Sequence, residues 1–371
     1  MKILVAPDKF KGCLSAHDVA KEISAGVHAA LPRAEIGLLP IADGGEGTAE
    51  VIRQALGGTT VNCPAHDALG RIIQCRYTMI EDRKLAVMEM SEAAGMRRLK
   101  ESEQNPMHAT TFGVGQLVLD AARKGAETII VGLGGSATND GGFGLARALG
   151  YRFFDGEGIQ VRIAISKLRT LKIIDVPKNL SLPPIIGAVD VQTPLLGRHG
   201  ATRVFGPQKG VTNAELPILE KCLKRLAKVA SRQVRPFNLR TPGAGAAGGL
   251  GFGLIVFARA TLQPGFDLVA EMIGLESKIR NADIIITGEG RLDGQTLKGK
   301  GPAGVATMAR EHGKRVFAVV GEARDQEKVG DLFEGIYQLA QPGSDRAENI
   351  ARARELLRKR SADMAKAWKP R

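Results

Sequence analysis

The sequence predicts an α/β protein in which a Rossmann-like domain with a parallel sheet carries an inserted second α/β domain with a mixed sheet. A chain of 371 residues is long for one core and fits two domains of about 150 residues each. Strand, polar loop and helix follow one another at both ends of the chain, whereas the middle begins with short strands joined by tight turns. We therefore predict a discontinuous Rossmann-like domain, 1–60 and 282–371, and an inserted domain, 61–281.

The first two strands of the chain each lead into a polar loop and then a helix. Residues 3–6 form an apolar strand, and the helix after it begins at Ser15, with Asp18 at the capping-box position. Residues 35–40 form a second strand that runs into the acidic, glycine-bearing loop 42–48. Because ligands bind outside the carboxyl ends of strands in open α/β sheets, both loops are candidate binding elements.

The inserted segment begins with a run of short strands and then continues with alternating helices and strands. Its first strands are short and closely connected, which predicts antiparallel or mixed pairing; they lie at residues 60–63, 72–79 and 85–90. A helix follows at residues 113–124, and a later apolar strand at residues 185–190 ends on Asp190. The carboxylate of Asp190 therefore stands at the carboxyl end of a buried strand.

A glycine-rich loop at residues 132–142 connects a buried strand, 128–131, to a helix that begins at Phe143. Glycine lets the backbone approach a ligand, and a helix that starts after such a loop directs N–H groups at an anion. A tight strand-to-helix turn is the alternative, but it does not explain the run Ser-Ala-Thr-Asn-Asp among the glycines. We expect an anion site here, and its candidate residues are Gly134, Gly135, Ser136 and Asn139.

A second glycine-rich stretch, residues 243–248, matches the pattern GxGxxG at the start of an apolar helix. A dinucleotide fingerprint must follow a strand, but two prolines precede this one, so NAD binding is disfavoured. Contact with a phosphate remains open, through Gly245 and Gly248. Lys209, in the loop before the preceding helix, is a further candidate phosphate ligand.

The last ninety residues show the same succession of strand, polar loop and helix as the first sixty. A strand that begins near residue 284 leads into a polar loop with Glu289, Arg291 and Asp293, and further strands are predicted at residues 315–320 and 335–339. The C-terminal helix is rich in Arg and Lys and carries an apolar stripe. We interpret its charges as a solvated basic face.

Composition narrows the class of protein. The net charge of +13 suits either nucleic acid or small anions, and the scarcity of aromatic residues favours small anions. No apolar run reaches about 18 residues, so no membrane span is expected. The four cysteines form no CxxC pair and the histidines show no zinc spacing, which predicts reduced thiols and a cytoplasmic protein.

Acidic and basic side chains recur in the loops at predicted strand ends. Any one of them is explained as a solvated loop residue, but together they suit a site that handles phosphate with Mg²⁺, because phosphoryl transfer depends on positioning, charge neutralisation and a base. These residues are Asp8, Lys9, Lys11, Asp43, Glu46, Asp140, Asp190, Lys209, Glu289, Arg291 and Asp293.

Six motifs, in order along nearly the whole chain, resemble the type I glycerate kinases. They are Pro-Asp-Lys-Phe-Lys-Gly at residues 7–12, Ala-Asp-Gly-Gly-Glu-Gly-Thr at 42–48, Gly-Gly-Ser-Ala-Thr-Asn-Asp-Gly-Gly at 134–142, Phe-Gly-Pro-Gln-Lys-Gly at 205–210, Pro-Gly-Ala-Gly-Ala-Ala-Gly-Gly at 242–249 and Thr-Gly-Glu-Gly-Arg-Leu-Asp at 287–293. The resemblance implies ATP-dependent phosphorylation of D-glycerate at the 2-hydroxyl, giving 2-phosphoglycerate. It also implies an active site in the cleft between the two domains.

Residue roles follow from the loops and the resemblance together. We expect Asp190 to be the catalytic base, with Lys11 and Arg291 binding the carboxylate or phosphates, and Asp43 and Glu46 on the Mg²⁺ side. Residues expected to contact ATP phosphates are Gly134, Gly135, Ser136, Asn139, Lys209, Gly245 and Gly248. Residues expected to contact glycerate are Asp8, Lys9, Glu289 and Asp293.

Some positions depart from the family pattern. Val114, Gln116 and Thr193 replace residues that the family usually has, and a glycine-rich turn is missing at residues 161–165. Three alternatives therefore stay open: a kinase giving 3-phosphoglycerate, a kinase of a related small hydroxy acid, and a weakly active ligand-binding homologue. The expected partners are D-glycerate and ATP, without nucleic acid or membrane, and a homodimer is left open.

Overall fold

The computed structural model describes residues 1–161, 165–292, 301–324, 330–340 and 345–368. The strands within these ranges are β1 (Lys2–Val5), β2 (Glu35–Leu38), β3 (Thr59–His66), β4 (Ile72–Ile80), β5 (Leu85–Glu89), β6 (Thr128–Gly132), β7 (Arg152–Phe154), β8 (Ile173–Asp175), β9 (Ile185–Val189), β10 (Thr261–Pro264), β11 (Ile284–Thr287), β12 (Arg291–Leu292), β13 (Arg315–Val320), β14 (Glu322–Ala323) and β15 (Gly335–Gln338). The α-helices are α1 (Ala16–Ala30), α2 (Thr48–Leu56), α3 (Ser91–Ala94), α4 (Phe112–Arg123), α5 (Phe143–Ala148), α6 (Ala201–Phe205), α7 (Leu216–Gln233), α8 (Ala246–Phe257), α9 (Gly265–Met272), α10 (Leu275–Arg280), α11 (Gly301–Glu311), α12 (Arg346–Ala351) and α13 (Ala353–Lys366).

The chain forms two compact units. Unit 1 comprises Met1–Asp43, Glu50–Ala55 and Phe266–Arg371, and unit 2 comprises Gly44–Ala49 and Leu56–Gly265. The predicted combination of a parallel-sheet and a mixed-sheet α/β fold is confirmed. The predicted domain limits, at residues 60 and 281, stay a prediction.

Unit 1 is built on a parallel sheet of five strands in the order β15-β13-β11-β1-β2. Counted along this unit, the strand order is 2-1-3-4-5, so the direction of winding reverses between β1 and β11. In open α/β sheets, ligands bind at such a switch point, outside the carboxyl ends of the two strands that flank it. The fold itself therefore nominates the loops after β1 and β11 as a binding site.

Helix α1 begins as predicted from the capping box, because the Ser15 hydroxyl accepts a hydrogen bond from the backbone N–H of Asp18. Its apolar face, which includes Val19, Ile23 and Val27, is fully buried in the core of unit 1. The helix ends before Pro32, which also agrees with the prediction.

The basic side chains of the C-terminal helix are mostly exposed, as interpreted from the sequence, but two of them also take part in packing. Helix α13 packs against α1, and its Arg354 and Arg358 donate to the carboxylate of Glu22, which is only 4% exposed. A Cβ atom added at Gly26 would lie 2.2 Å from the carbonyl oxygen of Arg358, so the two helices touch backbone to backbone. Part of the basic face thus neutralises a buried carboxylate.

Unit 2 is built on a mixed sheet of six strands in the order β10-β9-β6-β5-β4-β3. Strands β3, β4 and β5 pair antiparallel, and β5, β6, β9 and β10 run parallel. A large apolar core around this sheet includes Leu117, Ile129 and Phe252, all fully buried. In the described part of the chain, none of the helices combines the length and the apolar character that a bilayer crossing needs.

Candidate active site

A cavity of about 1030 Å³ lies in unit 1 at the carboxyl ends of the parallel strands. It is placed where the switch in winding predicts a ligand. Residues that the sequence analysis selected from separate loops line this one cavity: Asp8, Lys9, Lys11, Asp43, Glu289 and Arg291. Asp293, the remaining predicted residue of these loops, lies outside the described residues.

The ammonium of Lys9 lies between two carboxylates of this cavity. Its Nζ is 3.4 Å from Asp43 Oδ1 and 3.5 Å from Asp8 Oδ1. Burial raises the pKa of Asp8 to about 6, with Lys9 opposing the rise and Asp43 adding to it. Burial alone would lower the pKa of Lys9, but the two carboxylates outweigh it and raise that pKa. The charged triplet holds its side chains at the base of the cavity.

Guanidinium groups occupy another part of the cavity wall. Glu322 Oε1 lies 2.8 Å from Arg324 Nε, and Glu322 Oε2 lies 3.6 Å from Arg291 Nε. One carboxylate therefore pairs with two arginines. The hydrogen bond from Arg324 is the main reason that the pKa of Glu322 is lowered. Arg346 and the exposed Lys11 add further positive charge to the lining. Three residues of this wall were not predicted from the sequence, because the chain around them carries no recognisable motif: Glu322, Arg324 and Arg346.

The glycine-rich loop of unit 2 follows β6 and leads to α5, as predicted. Gly135 is exposed and adopts φ +68°, Gly134 is half-buried and Ser136 is 6% exposed, whereas Asn139 is fully buried. A Cβ atom at Gly134 would lie 2.7 Å from the Cα of Gly45, so that glycine is needed for a close backbone approach. Within the loop, exposure to solvent is therefore confined to its first part, at Gly134 and Gly135.

Asp140 holds the second part of the loop in place. Its buried carboxylate accepts hydrogen bonds from the N–H and hydroxyl of Thr111 at 2.9 Å and from the N–H groups of Gly142 and Gly144 at 3.0 Å. Burial raises the pKa of Asp140, and these hydrogen bonds oppose the rise. The residue anchors the start of α5, and Asn139 beside it donates to Thr202 at 3.0 Å.

Lys209 is buried beneath this loop, in the short 3₁₀ turn Pro207–Lys209. Its Nζ donates to Ser136 Oγ at 2.6 Å and to the carbonyl of Thr138 at 2.8 Å. Burial lowers the pKa of Lys209 to about 7, although Asp140 acts in the opposite direction. Lys209 therefore braces the predicted phosphate loop from its inner side.

Gly245 and Gly248 lie where backbone segments meet. A Cβ atom would be 2.2 Å from the carbonyl of Pro194 at Gly245 and 2.0 Å from that of Thr138 at Gly248. Gly248 has φ +67° inside an irregular first turn of α8. Close packing therefore requires glycine at both positions, whether or not they contact phosphate as predicted.

Asp190 follows β9 directly and is half-buried. Strand β9 pairs with β6, so Asp190 and the glycine loop leave neighbouring strands of unit 2 at the same edge. Glu46 accepts from Arg97 at 2.9 Å, and Glu89, at the end of β5, accepts from the N–H groups of Gly47 and Ala49. Glu89 was missed because its β-strand pattern looks like ordinary core.

The described residues contain no group of three or more His, Cys, Asp or Glu side chains that would hold a metal by itself. Magnesium in kinases is commonly bound through one or two carboxylates together with the substrate's phosphates. Asp43, with Asp8 on the other side of Lys9, fits that requirement. Glu46, the other residue predicted on the Mg²⁺ side, belongs to unit 2, where its carboxylate pairs with the guanidinium of Arg97.

The fold and the cavity together define an α/β protein with a charged cavity at the switch point of a parallel sheet. The sequence model of the glycerate kinase family matches residues 3–369. The chain belongs to the glycerate kinase family.

Named relatives and a solved structure are similar to the chain over nearly all of its length. A glycerate kinase of Halalkalibacterium halodurans is 40% identical over 91% of this chain and 88% of its own. A glycerate 2-kinase of Escherichia coli is 39% identical over 89% of this chain and 87% of its own. The crystal structure of a candidate glycerate kinase 2 from Salmonella typhimurium LT2 superposes with a TM-score of 0.85 at 37% identity, covering 98% of this chain and 97% of that one.

Proposed function

We propose that this protein is a kinase that transfers the γ-phosphoryl group of ATP to the 2-hydroxyl of D-glycerate, giving 2-phosphoglycerate and ADP. The observation that carries the proposal is the meeting of the predicted charged loop residues in one cavity of unit 1. Family membership supports the activity, and the 2-position follows the name of the Escherichia coli relative.

The chemistry needs cations around the transferred group and a base for the hydroxyl proton. Lys11 and Arg291 supply positive charge from the cavity wall. Asp190 takes the proton of the 2-hydroxyl as that oxygen attacks the γ-phosphorus and the bond to the β-phosphate oxygen breaks. Magnesium, when bound, supplies neutralisation of phosphate charge, and Asp8 and Asp43 are the side chains that would hold it.

Unit 2 contributes the glycine loop to this proposal. The backbone around Gly134 and Gly135 is the part that is open to an anion. Ser136, Asn139, Lys209, Gly245 and Gly248 act behind it, because their contacts hold the loop in its conformation.

The departures from the family pattern have packing roles that leave the kinase proposal intact. Val114 is fully buried in the core of unit 2. The side-chain oxygen of Gln116 lies 2.9 Å from the backbone N–H and from Nδ1 of His66. The carbonyl of Thr193 accepts from the N–H of Gly245 at 2.9 Å. The stretch 161–165 lacks the glycine-rich turn of the family pattern, and its residues 162–164 lie outside the described residues.

A coupled assay of ADP release tests the proposal, with D-glycerate, L-glycerate and related hydroxy acids as acceptors. We expect turnover with D-glycerate and a phosphorus NMR spectrum of the 2-phosphate. Lys11→Met should lower kcat/KM strongly, whereas Lys21→Met, on the exposed face of α1, should not. A 3-phosphate product or a different preferred acid would replace the proposed reaction with one of the alternatives, and binding without turnover would identify a ligand-binding homologue.

A further inference from the structure

We propose that the cavity of unit 1 binds the nucleotide, with the purine base beside Ile350 and Leu339 and the phosphates beside Lys11 and Arg291. This assignment rests on the proposed function, because it takes ATP as the donor. It differs from the prediction that the ATP phosphates lie on the glycine loop of unit 2. The reasons are the extent of the cavity, its apolar wall and the placement of its cations.

The cavity is too extended for a three-carbon acid. Its lining includes Asp43, in the loop after β2, and Leu339, directly after β15. Strands β2 and β15 are the two edge strands of the five-stranded sheet. The volume of the cavity is about 1030 Å³. Glycerate displaces the volume of only a few waters, at roughly 30 Å³ each. A nucleoside triphosphate is long enough to use such a cavity.

One end of the cavity is apolar. Leu339 and Ala353 are buried there, and the neighbouring Ile350 on α12 keeps 44% of its surface exposed. Large exposed aliphatic side chains on a cavity wall are typical of sites that cover an apolar ring face. Glycerate offers only hydroxyl and carboxylate groups, whereas a purine offers a flat apolar surface. This end therefore suits the base.

Positive groups continue from that end towards the switch point. Arg346 begins the same helix, α12, and Arg324 and Arg291 share the single carboxylate of Glu322. Guanidinium groups are well suited to bind the oxygens of a polyphosphate, because they carry a fixed charge and several N–H donors. Lys11 follows β1 at the switch point itself. The order of the lining, from apolar to cationic, matches the order of base and phosphates in a nucleotide.

Direct binding of ATP and ADP, measured by calorimetry without any acceptor acid, tests the assignment. Ile350→Glu places a negative charge at the base end, and we expect it to weaken ATP binding at least tenfold and to raise the KM for ATP equally. The KM for D-glycerate should stay unchanged. Ile173→Glu is the matched control, because Ile173 is similarly exposed, at 52%, but belongs to β8 of unit 2. Circular dichroism melting checks that both variants fold.

Photolabelling supplies a second readout that does not need activity. With 2-azido-ATP, we expect mass spectrometry to find the label in peptides that contain residues 10–13 or 346–353. Labelling confined to peptides of the glycine loop, or an Ile350→Glu variant with unchanged ATP binding and a raised KM for glycerate, would overturn the assignment and leave the proposed function standing. Wild-type protein that binds ATP at this site but phosphorylates no acid would contradict the proposed function and keep the assignment. Wild-type protein that binds no nucleotide would overturn the assignment.

Discussion

Lys209 Nζ lies 2.6 Å from Ser136 Oγ, and the lysine, which is almost fully buried, donates its other hydrogen bond to the carbonyl of Thr138 at 2.8 Å. Seventy-three residues separate the two in sequence. The hydrogen bond joins the loop that carries Lys209 to the glycine-rich loop that carries Ser136. Because burial lowers the pKa of Lys209 to about 7, we expect the stability of unit 2 to depend on pH.

The first prediction concerns that pH dependence. Below pH 7, Lys209 is protonated in both the folded and the unfolded chain and contributes no slope. Between about pH 7 and the ordinary lysine pKa of about 10.4, the unfolded chain binds a proton that the folded chain does not. The free energy of unfolding should therefore rise with pH, by up to about 1.4 kcal/mol per unit, relative to Lys209→Met.

Urea unfolding of the wild type and of Lys209→Met, from pH 6.5 to 9.5, measures this difference. Lys228→Met, on the exposed face of α7, is the control and should follow the wild type. A constant difference between wild type and Lys209→Met across this range would show that the lysine keeps its proton in the fold.

The second prediction separates packing from ligand binding at Gly248. An added Cβ would lie 2.0 Å from the Thr138 carbonyl and the residue has φ +67°, so Gly248→Ala should lower the free energy of unfolding by about 3 kcal/mol or more. Gly158→Ala has a similar φ, +79°, but open space around it, and should cost only about 1 kcal/mol. Chemical denaturation compares the two, and equal losses would contradict the packing role.

The third prediction concerns the contact of α13 with α1. Glu22→Ala should destabilise the protein by about 2 kcal/mol, because it removes a buried carboxylate that accepts charge-assisted hydrogen bonds from two guanidinium groups. Glu355→Ala, which removes an equally well-formed but exposed pair with Arg352, should leave the melting temperature unchanged. Similar melting temperatures for both variants would show that burial at Glu22 does not matter.

The fourth prediction tests the base. Asp190→Asn should lower kcat by a factor of about 10² to 10⁴ without changing the melting temperature, because the amide cannot accept the hydroxyl proton. Asp175→Asn, at a surface pair with Arg152, controls for the loss of a carboxylate. Near-normal turnover by Asp190→Asn would remove this residue from the role of base.

Local sequence patterns determined the secondary structure, because their causes act over a few residues. The capping box at Ser15 and Asp18 and the apolar strand before the glycine loop are both present where the patterns place them. The class of fold followed from the order of these elements, and the family resemblance followed from motifs that are contiguous in the chain. Charged loops at strand ends were also recognisable, since glycine and carboxylate side chains stand together in the sequence.

Only the tertiary structure decided which of those residues share a site. The cavity combines loops from Asp8 to Ala353, and the strand order that joins them depends on pairing between β1 and β11, some 280 residues apart. Burial decided roles as well: it placed Asp140 among N–H donors and Lys209 beneath the loop. Hydrogen bonding and desolvation depend on neighbours that are distant in sequence, which is why a residue type in a motif could nominate a site residue but not its partner.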